Sequence, residues 1–303
     1  MTTTLMQPGQ IEAAAGNIPE LRLPPADVFR VRARRFEQLA DGHAMADYLR
    51  FAAGLAHAQQ GLLDAGPAGE LPAPGRIEQC REHGMPPLAP AGLARPAWHD
   101  TARALARSVQ PLLTPAGRSA LQPLLDGQAA WLDEQAAYLF DNDLEHVDAA
   151  VAPVIGAALQ VHWTQLARRL EPARVARPEL PNLCPVCGSH PVSSVVRIGG
   201  AENGLRYLHC TLCSSEWHVV RAKCSNCDNT RDIGYYHLEG GNRVVEAESC
   251  PECRTYLKIV HLEKYPQADP VADDLASLTL DLLMDETEHT RSGINWYLIH
   301  GHP

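Results

Sequence analysis

The chain has 303 residues, of which 45% are hydrophobic and 20% charged, a balance typical of a globular protein. At roughly 100–200 residues per domain, this length predicts about two domains. The formal net charge of −10 argues against a protein whose main task is to bind nucleic-acid phosphates. Eight of the nine cysteines lie between Cys184 and Cys253, whereas Cys80 stands alone.

The sequence shows neither a secretory signal nor a membrane span. The first basic residue is Arg22, so Met1 is not followed by the charged and apolar regions of a signal peptide. The longest apolar run, residues 149–159, has 11 residues, whereas a bilayer-crossing helix needs about 20. We therefore expect a cytoplasmic protein with no membrane insertion, in which clustered cysteines bind metal rather than form disulfides.

The N-terminal half has the periodicity of helices. We expect a flexible N-terminus over residues 1–22 and an α-helical domain over residues 23–175. The predicted helices span residues 28–40, 44–65, 98–110, 115–140 and 144–170. Thr114 is predicted to cap the fourth helix and Pro153 to kink the fifth. The segment 66–75 is predicted to be a loop because it is rich in Gly and Pro.

After a proline-rich linker the helical period disappears, and short segments with β propensity follow. These segments span residues 192–198, 205–208, 217–220, 233–238, 243–245 and 256–262. Residues 266–303 are expected to hold a C-terminal helix, over 273–285, and a tail. On that helix the apolar side is predicted to contain Leu275, Leu278, Leu282 and Leu283. The acidic residues predicted to face water are Asp273, Asp274, Asp281, Asp285, Glu286 and Glu288.

The clustered cysteines form four C-x-x-C pairs. The pairs are Cys184/Cys187, Cys210/Cys213, Cys224/Cys227 and Cys250/Cys253. The first two and the last two pairs each enclose 22 residues, and a shift of 40 superimposes the first four cysteines on the last four. A tetrahedral metal needs four donors at about 2.3 Å, and two such turns supply four thiolates. The sequence therefore predicts two metal sites, each with four cysteine ligands.

The cysteine spacing leaves the metal and the pairing open. Sulfur-only sites suit either iron or zinc. Sequential pairing (184, 187, 210 and 213 in one site; 224, 227, 250 and 253 in the other) fits the repeat, while a cross-brace fits the same residue types. The modules expected over residues 183–223 and 224–265 are too small for much core, so metal should supply folding energy. The predicted fold is an α-helical bundle followed by two tandem rubredoxin-like or zinc-ribbon modules, each with four cysteines.

These residues resemble the formate dehydrogenase accessory protein family, the FdhE family. The segments that carry the resemblance are 184–188, 207–213, the two later cysteine pairs, 272–276, 281–284, 42–43 and 47–51. The resemblance extends over roughly residues 28–300. It implies a cytoplasmic factor needed for active respiratory formate dehydrogenase, contact with that enzyme's catalytic subunit, and tandem rubredoxin-like sites that can hold iron. At residues 295–297 this chain has Asn-Trp-Tyr, where the family tends to have Asn-Pro-Phe.

Two other functions fit parts of the sequence. An iron site with four cysteine ligands could transfer electrons, which zinc cannot do. A nucleic-acid-binding zinc ribbon is disfavoured because residues 184–263 carry eight basic and nine acidic residues, without a basic stripe. We expect no nucleic-acid partner and no turnover of a small molecule by this chain alone.

Other candidate sites are weaker. His209, His218 and His237 lie near the cysteines, but two complete sets of thiolates leave no need for a histidine ligand. Cys80 is interpreted as an ordinary thiol, because sequence neighbours such as His83 seldom face a nucleophile productively. The acidic cluster Asp141, Asp143, Glu145 and Asp148 is interpreted as a solvated helix start.

Overall fold

The computed structural model describes residues 18–66, 69–92, 96–177 and 179–298. The helices are α1 (Val28–Ala40), α2 (Ala46–Asp64), α3 (Pro74–Glu82), α4 (Pro96–Val109), α5 (Pro115–Ala120), α6 (Gln122–Asp126), α7 (Ala129–Asp141), α8 (Ala152–Ala167), α9 (Ala272–Ala276) and α10 (Leu278–Met284). The strands are β1 (Leu21–Arg22), β2 (Pro191–Val196), β3 (Arg206–Cys210), β4 (Glu216–Val219), β5 (Gly234–Tyr236), β6 (Val245–Cys250), β7 (Thr255–His261) and β8 (Thr290–Arg291). A helical N-terminal region followed by a small sheet confirms the predicted fold class.

Helix α8 is the centre of the helical region. All of its 16 residues are buried, and it packs against α2, α4 and α7. Trp163 on this helix donates from Nε1 to the carbonyl of Leu88, at 2.8 Å. A helix that is buried on every side belongs inside a core, and α2, α4 and α7 pack around α8.

Two of the long helices predicted in the N-terminal half are wrong in their bounds. The predicted helix 115–140 is three helices, because Gly127 is extended (ψ 143°) and separates α6 from α7. The predicted helix 144–170 corresponds to α8, which begins at Ala152 rather than at residue 144, and Pro153 lies in its first turn. Proline is favoured there, since the first turn has no use for its missing N–H, so Pro153 starts the helix instead of kinking it. Thr114 caps α5 as predicted, accepting from the Gly117 amide at 3.2 Å.

The 40-residue repeat of the cysteines is also a structural repeat. Strands β2, β3 and β4 form one antiparallel meander, and β5, β6 and β7 form a second one. The two meanders join through parallel pairing of β2 with β7, in which Val195 lies opposite Val260. The strand order is β1-β4-β3-β2-β7-β6-β5, with β8 added beside β7. One continuous sheet therefore carries both cysteine modules.

The N-terminal segment is part of this sheet. Leu21 and Arg22 pair with Trp217 and Glu216 of β4. The flexible segment predicted over residues 1–22 therefore does not extend to its last residues, while residues 1–17 lie outside the described residues.

The C-terminal acidic segment differs most from prediction. The predicted helix 273–285 breaks at Ser277 (φ −99°, ψ 30°) into α9 and α10, which shifts the buried side of its second half. Leu280 and Met284 are buried, whereas Leu282 and Leu283 are 60% and 47% exposed. The interpretation of the acidic residues as a wet face is wrong for Asp273, Asp274 and Asp281, which are buried.

Buried cations explain the burial of these carboxylates. Arg35 of α1 binds Asp273 with its Nε at 2.8 Å and Nη2 at 2.6 Å. Lys258 of β7, fully buried, lies 3.4 Å from Asp274 and 2.5 Å from Asp281, and Arg291 binds the same two carboxylates. Pairing offsets the cost of desolvating each charge, so these ion pairs join α9 and α10 to the sheet and to α1.

Among the described residues, no helix combines the length and the apolar character needed to span a lipid bilayer.

Candidate metal centres

The structure brings the eight cysteines together as two groups of four. The first cluster is Cys184, Cys187, Cys210 and Cys213; the second cluster is Cys224, Cys227, Cys250 and Cys253. Within each cluster all Sγ atoms lie within 4.8 Å of one another. The pairing is therefore the sequential one, and the cross-brace alternative does not describe this fold.

The sulfur spacing of both clusters suits a tetrahedral metal. In the first cluster Sγ–Sγ distances are 3.6 Å for Cys184–Cys213 and 3.4 Å for Cys187–Cys210. The equivalent pairs of the second cluster are both 3.7 Å apart. Four sulfurs at about 2.3 Å from a tetrahedral metal are about 3.8 Å from each other. Both clusters therefore have the donor set and the size for one mononuclear iron or zinc ion.

Each C-x-x-C turn closes in the same way. The residue after the second cysteine adopts the left-handed conformation in all four turns, with φ of 77° at Gly188, 56° at Ser214, 60° at Asp228 and 53° at Arg254. This reversal lets the following chain return past the turn. None of these four conformations was predicted from the sequence. Only the first position is glycine, the residue that most often signals a left-handed conformation.

Backbone amides of the turns point at the sulfurs. The amides of Leu212 and Cys213 each donate to Cys210 Sγ at 3.4 Å, and the Asn226 amide donates to Cys224 Sγ at 3.4 Å. Hydrogen bonds to the charged form stabilise a thiolate. The turns thus help to neutralise the negative charge that four thiolates bring to each cluster.

A hydroxyl group lies beside one cysteine in each cluster. Ser215 Oγ lies 3.2 Å from Cys213 Sγ, and at the equivalent position Thr255 Oγ1 lies 3.1 Å from Cys253 Sγ. Burial opposes ionisation of Cys253, but hydrogen bonds led by that of Thr255 outweigh it and lower the pKa of this thiol to about 6. In the same cluster burial raises the pKa of the thiols of Cys224 and Cys227, so Cys253 is the thiol among these three that most readily supplies a thiolate to a metal.

The first cluster also contains one thiol with a lowered pKa, but its cysteines are more deeply buried than those of the second cluster. Burial raises the pKa of the thiols of Cys184 and Cys210. At Cys187 burial also opposes ionisation, but hydrogen bonds from the three neighbouring cysteines outweigh it and lower the pKa of that thiol. Metal binding at this cluster must therefore release protons from buried thiols, which makes its affinity depend on pH.

Side chains of helix α8 form hydrogen bonds with the backbone of the first cluster. Gln160 donates to the carbonyl of Thr211 at 2.8 Å, and Thr164 donates to the carbonyl of Cys213 at 3.4 Å. The Leu88 amide donates to the carbonyl of Val186 at 2.9 Å. All four cysteines of this cluster belong to the same apolar core as α8. The first cluster thus lies where the helical region packs against the sheet, and its residues contact both.

The side chain of His209 has polar partners outside the first cluster. Its Nδ1 lies 3.1 Å from Glu216 Oε1, and its Nε2 lies 3.4 Å from Nη2 of Arg32. Burial opposes ionisation of Glu216, but contacts with His209 and Arg197 outweigh it and lower the pKa of this carboxyl to about 2. The histidine therefore connects the strand that carries Cys210 to α1 through hydrogen bonds.

The remaining candidates take no part in either cluster. His237 lies beside Arg243 at 2.6 Å, and Cys80 is a buried free thiol on α3. In the acidic cluster Asp143 pairs with the exposed His146 at 2.8 Å. Across the described part of the chain, the two groups of cysteines are the ones whose ligand atoms converge for a metal.

Family models match nearly the whole chain. The model described as FdhE, N-terminal, matches residues 18–179; FdhE, central domain, matches residues 183–221; and FdhE, C-terminal domain, matches residues 222–298. In chain order, the three models correspond to the helical region, the first cluster and the second cluster.

Individual relatives agree with these models. The chain is 43% identical over 307 residues to a protein FdhE homolog from Pseudomonas aeruginosa, covering 99% of both chains. It is 43% identical over 290 residues to protein FdhE from Salmonella arizonae, covering 95% of this chain and 93% of the relative. The crystal structure of the FdhE protein from Pseudomonas aeruginosa superimposes with a TM-score of 0.87 at 41% identity, covering 94% of this chain and 100% of the other.

Proposed function

Because the chain belongs to the FdhE family, and so is a formate dehydrogenase accessory protein, we propose that it binds the catalytic subunit of that enzyme and carries one iron ion in each cluster. The family membership over nearly the full length is the observation that supports this proposal most. The two complete groups of four cysteines support the metal part of it. The proposed setting is the cytoplasm, and the proposed role is assembly of another enzyme rather than catalysis.

A deletion strain tests the accessory role. Cells that lack this protein are expected to make the catalytic subunit but to show little formate dehydrogenase activity, and the intact gene should restore it. Immunoblotting of the catalytic subunit in both strains serves as the control for expression. Wild-type activity in the deletion strain would contradict the proposal.

Co-purification tests the proposed contact. The tagged chain is expected to retain the catalytic subunit from an extract, and an unrelated tagged protein of similar acidity controls for charge-driven binding. Absence of the subunit from the eluate, with the tagged chain itself folded, would remove the contact from the proposal.

The identity of the metal has its own test. The donor set of four thiolates suits both iron and zinc, and the family resemblance favours iron. Protein purified without oxygen should show the visible absorption of ferric thiolate after oxidation. A colourless protein with stoichiometric zinc would contradict iron and would also remove the alternative function, electron transfer. That alternative draws its support from the exposure of Cys227, where an electron could reach the second cluster from a partner.

A further inference from the structure

The two clusters have the same geometry but differ in their access to solvent. The four cysteines of the first cluster are at most 1% exposed. In the second cluster Cys227 is exposed and Cys253 is half-buried, while Cys224 and Cys250 are buried. A metal in the first cluster would therefore be enclosed, whereas one in the second cluster would have a thiolate ligand at the protein surface.

The residues inside the turns extend this contrast. In the first cluster the turns contain Pro185-Val186 and Thr211-Leu212, all of them buried. In the second cluster one turn contains Pro251-Glu252, both exposed. Exposed residues cover little of a metal, so water and small solutes can approach this side of the second cluster.

The clusters also differ in how their turns are held. Side chains of α8 and the amide of Leu88 bind carbonyls of the first cluster. For the second cluster the structure gives contacts from polar loop residues, such as Asn182 with Asn226 at 2.8 Å and Asn229 Nδ2 with Cys250 Sγ at 3.5 Å. Opening the first cluster requires disruption of the main core, whereas Cys227 can leave its metal by a local movement.

We propose that the second cluster is a ligand-exchange site at which the thiol of a partner replaces Cys227 on the bound metal. The first cluster keeps its metal and has a structural role. The inference rests on the proposed metal binding. In the exchange step a bond forms between the incoming sulfur and the metal, and the bond from the metal to Cys227 Sγ breaks. The proton of the incoming thiol passes to Cys227, so no oxidant or reductant is needed.

Zinc-loaded protein tests this proposal, because zinc has no redox chemistry that could obscure exchange. Glutathione is the thiol probe, and the dye 4-(2-pyridylazo)resorcinol reports released zinc. We expect one zinc per chain to leave at a rate that rises with glutathione concentration, and the other to leave on the order of 100-fold more slowly, because its release needs opening of the core. Replacement of all four second-cluster cysteines by serine should remove only the fast phase.

A second measurement needs no variant. Brief treatment of the zinc-loaded chain with N-ethylmaleimide, followed by peptide mass spectrometry, should label Cys227 first and leave the first cluster unmodified. Equal rates of release from both sites, or a fast phase independent of glutathione, would overturn the exchange proposal but not metal binding. A purified chain that binds no zinc and no iron would instead overturn the metal sites of the proposed function.

Discussion

Replacement of Asp274 by asparagine tests the buried charge network most sharply. Asp274 is 1% exposed, binds Nη2 of Arg291 at 2.6 Å and lies 3.4 Å from Lys258. The other carboxylate of the network is Asp281, so the wild-type group has two positive and two negative charges. Asn at position 274 keeps the shape of the side chain but leaves Lys258 and Arg291 to share the single remaining carboxylate of Asp281, so the group carries one uncompensated positive charge.

The size of the effect follows from that imbalance. Removal of one partner from a buried ion pair costs about 3–5 kcal/mol. At about 2–4 °C per kcal/mol, the midpoint of thermal unfolding should fall by about 6–20 °C. Asp285→Asn is the matched control, since Asp285 lies in the same acidic run but is exposed. Such surface substitutions change stability by about 0.5 kcal/mol or less.

Thermal unfolding followed by circular dichroism, at one pH and one metal loading, measures both variants. The interpretation of the whole run as a wet face predicts equal, small effects. A fall in midpoint for Asp274→Asn no larger than that for Asp285→Asn would refute the reasoning from burial and pairing.

Four further substitutions give measurable outcomes. Gly156→Ala places a Cβ 2.8 Å from the Cβ of Trp296, so it should lower the free energy of unfolding, measured by chemical denaturation, by about 1–3 kcal/mol. Gly61→Ala on α2 is the control: its Cβ meets no atom within 4 Å, and it should raise that free energy by up to about 1 kcal/mol. Equal effects of the two substitutions would contradict this packing. The charge of Glu216, whose carboxyl pKa is lowered to about 2, stabilises the fold above the unfolded pKa of about 4.3 and loses that effect as pH falls towards 2. The difference in unfolding free energy between wild type and Glu216→Gln should therefore shrink over that range, and a constant difference from pH 7 to pH 3 would argue against it. Gln160→Leu leaves the Thr211 carbonyl in the first cluster without its donor, so the free energy of unfolding should fall by about 1–3 kcal/mol. Elemental analysis should show that the second cluster keeps its metal. Loss of the second cluster's metal would contradict the placement of Gln160 at the first cluster.

The cysteine sites were the most predictable part of the molecule. A C-x-x-C pair fixes two sulfurs through local backbone geometry. The 40-residue repeat fits sequential pairing but left a cross-brace open, and the structure groups the cysteines sequentially. Most strands between the pairs lie within a few residues of the predicted segments, because short segments with β propensity lie between fixed cysteine turns. The prediction over residues 243–245 is wrong in its bounds, since the strand there is Val245–Cys250.

Long-range contacts explain what the sequence did not reveal. The burial of Asp274 depends on Lys258 and Arg291, whose positions in the sheet no periodicity indicates. The break at Ser277 also has no local signal such as Gly or Pro, so the buried side of α10 was wrongly predicted. Trp296 and Tyr297, in the segment predicted to be a tail, are buried in the main core.

Domain boundaries at residues 175 and 183, and at 223 and 224, stay a prediction. The first cluster shares its core with α8, and one sheet joins both clusters. We therefore expect the helical region and the first module to unfold together.

The central claim is that eight cysteines form two sequential metal sites, and metal stoichiometry tests it most directly. A variant with serine at Cys224, Cys227, Cys250 and Cys253 removes the second cluster and leaves the buried one intact. Elemental analysis of the folded, purified proteins should give two metal ions per chain for the wild type and one for the variant. A variant that holds no metal, as a cross-brace would require, or a wild type that holds none, would contradict the account.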